Sequence, residues 1–132
     1  MVVGERSDLV RRAYEVFDTD LEALVQMLDP DVEWVSPSDS IEPGTRHGHD
    51  GVRSAYAATA AAWDRPTHTP EEFFDAGGKV LVAVTFRGHG RGSGMDAERP
   101  EFHVWTIQDG RVTRFEWFYQ REQGLEAAGL LE

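Results

Sequence analysis

The sequence predicts an α+β fold, with three amphipathic helices and one short strand followed by four longer antiparallel strands. Three observations carry this. Apolar residues keep helical spacing from Leu9 to Trp63. From Thr67 onward the apolar period changes to two. Two turn pairs, Gly77-Gly78 and Asp109-Gly110, separate the later apolar runs as hairpin connections do.

Each element follows from local chemistry. Ser7 is an N-cap with Asp8 in the first turn, and Leu9, Val10, Ala13, Tyr14, Val16 and Phe17 share one helical face. Asp18-Thr19-Asp20 breaks that helix and offers a new cap. Leu21, Leu24, Val25 and Leu28 then stand at i, i+3, i+4 and i+7, and Pro30 ends the run. Val32–Val35 reads as a short strand, and the proline- and glycine-bearing stretch 36–49 reads as a loop. Asp50 caps a third helix with Val52, Tyr56, Thr59 and Trp63 on one stripe, closed by Asp64-Arg65-Pro66. Residues 71–76 and 79–87 form the first hairpin, and 102–108 and 111–120 the second. Between them Gly88 to Gly94 holds four glycines and no apolar residue, which reads as a flexible turn. The tail EQGLEAAGL is a short helix with Gly129 at its end.

Composition bounds the function. The 132 residues make one domain, 1–132. Lys and Arg number 13 against 24 Asp and Glu, a net charge of −11 with scattered bases, which disfavours nucleic acid and anionic lipid as partners. The absence of cysteine removes disulfides, thiolate metal sites and Cys nucleophiles. No apolar run approaches the roughly 20 residues of a membrane helix, and the N-terminus lacks a signal peptide's order. A cytoplasmic domain is expected. There is no phosphate loop, dinucleotide fingerprint or G-x-S-x-G elbow.

The Asp109-Gly110 turn sets an expected register. A regular two-residue hairpin puts Ile107 opposite Val112, Trp105 opposite Arg114 and His103 opposite Glu116. His103, Trp105, Ile107, Val112, Arg114, Glu116 and Phe118 then share one face. Phe102, Val104, Thr106, Thr113, Phe115, Trp117 and Tyr119 share the other, which helices or a partner chain must cover. On the mixed face a His103–Glu116 hydrogen bond would make a competent acid/base pair near neutral pH. The same pairs could equally be ordinary cross-strand contacts on a solvated face.

Several segments together resemble the nuclear transport factor 2-like superfamily, in its SnoaL-like branch. They are LVRRAYEVFDTDLEALVQMLDPDVEWVSP, RHGHDGVRSAY, the GSG turn and HVWTIQDGRVTRFEWFYQREQGLEAAGL. The resemblance implies a cone-shaped α+β barrel of the cystatin-like type, a curved antiparallel sheet wrapped around three N-terminal helices. It also implies a homodimer through the Phe102, Val104, Phe115, Trp117 and Tyr119 face, and a pocket on the mixed face. In polyketide cyclases of this type a carboxylate on the last long strand works with a His on its neighbour, and Glu116 and His103 match these in kind. Ketosteroid isomerases use an Asp base before a proline on the first strand, where this sequence has Ser36. Tyr14 falls near their Tyr donor and His103 at their protonated Asp. Limonene epoxide hydrolases need an Asp-Arg-Asp cluster, of which Arg114 with Glu116 is a partial echo.

The expected catalytic set is therefore His103, Glu116, Tyr14 and Arg114, with Trp34, Tyr56, Trp63, Trp105 and Phe118 as the wall for a small apolar molecule. No cofactor and no metal are expected. His47, His49 and Asp50 form a loose cluster better explained by helix capping and solvation. His68 and His89 fall in segments read as exposed, and Arg87, Arg91 and Arg99 are read as solvated beside the glycine-rich turn, with a ligand carboxylate as the alternative partner for one of them. Asp39 is a candidate acid at the pocket mouth. Two functions stand: acid/base isomerisation, cyclisation or hydrolysis of a carbonyl compound, or a non-catalytic ligand-binding or protein-interaction role.

Overall fold

The structure is a computed structural model that describes residues 3–130. The three helices expected in the first half are α1 (Val3–Val16), α2 (Leu21–Val25) and α3 (Gly48–Ala62). Asp20 caps α2 as its sequence suggests, its carboxylate accepting from the Ala23 N–H at 3.1 Å. The strands are β1 (Leu28–Ser36), β2 (Gly44–His47), β3 (Trp63–Ala76), β4 (Lys79–Gly90), β5 (Asp96–Gln108) and β6 (Arg111–Phe118), followed by α4 (Arg121–Ala127).

All six strands join one curved, unclosed sheet in the order β2-β1-β6-β5-β4-β3. Only the β1–β6 pair is parallel. The inner face carries the main core, in which Val10, Phe17, Leu24 and Val52 of the helices meet Trp34, Val80, Val82, Trp105 and Phe115 of the sheet. The outer face carries a smaller cluster, Leu81, Ala83, Phe102 and Val104, covered by α4 through Leu125, Ala127 and Ala128. Strand β4 is buried on both sides for this reason, and its run Val80–Val84 is continuously apolar.

Several boundaries differ from expectation. Helix α2 stops at Val25, and β1 begins at Leu28 and passes through Pro30. The proline is tolerated because the β1–β6 pairing is irregular between Leu28 and Glu33, so the missing N–H breaks no regular ladder. The 36–49 loop contains β2. Asp64-Arg65-Pro66 lies within β3 at a register shift, with Arg65 at φ 50°. The start of the glycine-rich region is strand: β4 runs to Gly90, and the turn is confined to 91–95. Gly88 is required there, since a Cβ would sit 3.0 Å from Trp63 Cε3.

The largest correction concerns the second hairpin. Its turn has the expected form, with Asp109 at φ 51° and Gly110 at φ 77°. Ile107 pairs with Val112 as expected, but Thr106 pairs with Arg114, leaving Thr113 as an extra residue. This β-bulge shifts every later pair by one, so Trp105 opposes Phe115, Val104 opposes Glu116 and His103 opposes Trp117. A one-residue slip exchanges the faces of everything beyond it. Phe115 and Trp117 turn inward beside Trp105 and His103, while Arg114, Glu116 and Phe118 turn outward. The five residues expected as a dimer face are therefore split: Phe102 and Val104 lie on the outer face under α4, and Phe115 and Trp117 lie on the inner face.

Candidate functional site

The curved sheet, α3 and the start of β3 enclose a cavity of about 580 Å³. Its wall is aromatic, with Phe17, Trp34, Tyr56, Trp63, Phe86, Phe115, Trp117 and Tyr119. Its polar groups include Asp18 after α1, Ser36 at the end of β1, His68 on β3, and Arg99, Glu101 and His103 on β5, with Glu42, Arg46 and Arg65 also among the lining residues. Arg99, Glu101 and His103 alternate along one strand, so all point inward.

Trp34, Tyr56, Trp63 and His103 line the cavity as expected. Tyr14 does not line it. Its hydroxyl sits behind His103, 2.6 Å from Nδ1. Trp105 is fully buried in the core behind the same group. Phe118 packs on the outer cluster. Arg114 and Glu116 also face outward, where Arg114 donates to Glu33 at 2.8 Å and its Nε lies 3.4 Å from Glu116. Glu116 therefore makes no pair with His103, and the expected Arg114–Trp105 contact does not form because the bulge separates their faces. Ser36, at the position where the isomerases carry their base, accepts a hydrogen bond from Trp117 Nε1 at 3.2 Å. His49 Nε2 bonds the Leu28 carbonyl at 3.0 Å. No three His, Cys, Asp or Glu are grouped to hold a metal ion among the described residues.

The partner of His103 is Glu101, two residues earlier on the same strand and face, with Oε1 2.9 Å from Nε2. Sequence reading missed it because the strand was expected to start only at Phe102. Strand alternation would have found it had β5 been extended to Asp96.

Donor counting fixes the proton arrangement. Trp105 Nε1–H has only one role and donates to the Tyr14 oxygen at 3.0 Å. Tyr14 then donates its own proton to His103 Nδ1, which leaves Nε2–H to donate to the Glu101 carboxylate. A doubly protonated His103 would leave the Tyr14 hydroxyl without an acceptor. The electrostatics agree. Burial holds His103 below its ordinary range, against the upward pull of Glu101. Burial pushes the Tyr14 phenol well above its ordinary value, so it stays protonated. Burial also pushes Glu101 up, but the hydrogen bond it accepts from His103 and the Arg99 guanidinium beside it hold it below the usual carboxylate range.

A second pair stands across from Glu101. Asp18 accepts from the His68 backbone N–H at 2.6 Å and engages Nδ1 at 2.7 Å. That fixes the ring so that Nε2 faces Glu101 Oε1 at 3.8 Å. Arg99 closes the group, donating to Glu101 Oε2 at 3.2 Å. The cavity wall thus holds an ionised carboxylate, a carboxylate-oriented imidazole and a guanidinium within reach of one small molecule. Asp18, His68, Arg99 and Glu101 all lay outside the expected set. His68 and Arg99 were read as exposed because neither the length of β3 nor that of β5 was visible.

Comparison with known proteins agrees with this architecture. Residues 10–115 match the family model described as the SnoaL-like domain. No match to a curated protein was found. Among solved structures, an NTF2-like protein from Burkholderia pseudomallei is 28% identical with a TM-score of 0.80, over 92% of this chain and 95% of that one. TerC, co-crystallised with polyporic acid, is 27% identical with a TM-score of 0.79, over 95% of this chain and 98% of that one. A protein with a ketosteroid isomerase-like fold from Catenulispora acidiphila, in complex with trimethylamine, shares the fold at 19% identity, with a TM-score of 0.74 over 93% of each chain. With a family match over residues 10–115, the chain belongs to the SnoaL-like family of the nuclear transport factor 2-like superfamily.

Proposed function

We propose that this protein performs acid/base chemistry, without a cofactor, on a small, flat, carbonyl-bearing molecule held in the inner cavity. The supporting observation is the meeting of the Glu101 carboxylate and the Asp18–His68 pair on an otherwise aromatic wall. Glu101 takes a proton from the carbon next to a carbonyl. His68, oriented by Asp18, exchanges a proton with the carbonyl oxygen as charge develops there. Tyr14 is a positioning residue behind His103, and His103 lines the cavity but spends Nε2 on Glu101, which it holds by a buried hydrogen bond. Isomerisation, aldol-type cyclisation and hydrolysis all begin from such a proton transfer. TerC, a relative crystallised with an organic acid, supports a small-molecule occupant of the cavity.

Exchange of the α-protons of α-tetralone in D₂O, followed by NMR, tests the reading. The wild-type protein accelerates the exchange, and Glu101→Gln lowers the acceleration by about 10²-fold or more. Equal rates with wild type and Glu101→Gln would remove Glu101 from the chemistry. A ligand-binding role without turnover is the second reading, favoured by one fact: Glu101 is held below the usual carboxylate range, which weakens it as a base. Binding of flat ketones with no exchange in any variant would select that reading.

A further inference from the structure

The cavity's cation has more capacity than its known partner uses. Arg99 stands on the inner face of β5 with its guanidinium carbon 4.6 Å from the Phe86 ring centre, 4.9 Å from Tyr119, 5.8 Å from Trp63 and 6.0 Å from Trp117. The Phe86 and Tyr119 rings lie within 5 Å of this guanidinium, whose side chain keeps 31% exposure. The group carries five N–H donors. Its only side-chain hydrogen bond among the described residues is Nη2 to Glu101 Oε2 at 3.2 Å. Nε is buried with no partner. Glu101 in turn divides its charge between Arg99 and His103.

The other cations of the cavity are committed or remote. Arg46 is bound to Glu42 four residues earlier. The Arg65 side chain is 89% exposed. Among these arginines Arg99 combines a donor without a partner, flanking rings and a position beside Glu101.

We infer that Arg99 anchors an anionic oxygen of the ligand, so that the cavity selects flat carbonyl compounds that also carry an acidic oxygen, as an enolate or a carboxylate. The inference rests on the reading of this cavity as the ligand site and narrows its substrate class. A planar oxyanion conjugated to a ring matches a guanidinium fork in its own plane, and the ring extends over Trp63 and Trp117. The competing explanation is that Arg99 serves only as the counter-ion of Glu101. In that case its removal affects charged and uncharged ligands alike.

Calorimetric titration separates the two. The probes are 2-hydroxy-1,4-naphthoquinone, an enolate at pH 7, and 2-methoxy-1,4-naphthoquinone, its uncharged ether with the same rings. Wild-type protein binds the enolate at least about tenfold more tightly than the ether, the size of one charge-assisted contact. Arg99→Gln brings the ratio near one, and Arg99→Lys keeps only part of the preference. Glu101→Gln, which removes the anion competing for Arg99, raises enolate affinity. That variant needs no change at Arg99 and also separates the two claims, because it abolishes proton exchange while strengthening anion binding. The inference is overturned by a wild-type ratio near one, by a preference that survives Arg99→Gln, by enolate affinity that does not rise in Glu101→Gln, or by failure of both probes to bind.

Discussion

Tyr14 uses one oxygen for two partners, accepting from Trp105 Nε1 and donating to His103 Nδ1. Both partners are almost wholly buried. Tyr14→Phe therefore strands a donor and an acceptor together, at about 1–3 kcal/mol for each unsatisfied group. The expected loss is about 2–4 kcal/mol in urea unfolding, with little change in volume to offset it. A loss below about 0.5 kcal/mol would mean that the chain of hydrogen bonds does not hold as described. At this scale the sequence was half legible. His103 was singled out by the hairpin register and Tyr14 by the resemblance to ketosteroid isomerases. Their partners were not legible: Glu116 was chosen for His103 on a register argument, while Glu101, two residues along the same strand, was the carboxylate within reach.

Elements explain why that choice failed. The Asp109-Gly110 turn was read correctly, since both residues have the positive φ that this pair favours. Nothing in Arg111–Phe118 announces a bulge at Thr113, because a bulge satisfies the curvature of the whole sheet rather than a local preference. The outer face shows a second tertiary constraint. Helix α4 ends as the sequence suggests, with Gly129 at φ 77°, Leu130 N bonded to Leu125 O at 2.8 Å and Gly129 N to Glu126 O at 3.0 Å. Its middle glycine, Gly124, has a different purpose. A Cβ there would lie 2.9 Å from Phe102 Cβ and 3.1 Å from Leu81 Cδ1. Gly124→Val gains some helix propensity, but it drives α4 off a strand that cannot yield. A net loss of about 1–2 kcal/mol is expected in urea unfolding, with faster amide exchange at Leu81 and Phe102. Unchanged stability and exchange would show that α4 can shift freely on the sheet.

At the scale of the molecule, charge and burial set opposite responses to acid. With 24 acidic and 13 basic residues, mild acidification relieves self-repulsion and favours the fold. His103 opposes this. Burial holds its folded pKa below the unfolded value of about 6.5, so the unfolded chain binds the proton more readily. Its contribution is complete above about pH 6.5 and is lost progressively as pH falls toward the folded pKa. Glu101, also held low when folded, adds a further loss below about pH 4.3, where the unfolded carboxylate protonates first. His103→Gln is therefore expected to lower stability at pH 7 yet to flatten the fall in unfolding midpoint between pH 6.5 and pH 5. Parallel wild-type and variant profiles across that window would show that His103 is not held neutral by burial.

The sequence by itself determined the α+β class, the succession of helices and strands apart from β2, both hairpin turns and the closing turn after α4. Each of these depends on residues within a few positions: apolar period, a capping Asp, a glycine at positive φ. It also determined that the pocket would be aromatic and would hold His103. The tertiary structure decided which carboxylate meets that His, where β3 and β5 begin, and which residues share a face beyond Thr113. These follow from the curvature of a six-stranded sheet and from strand pairings between segments far apart in the chain, and no local pattern of residue types carries that information.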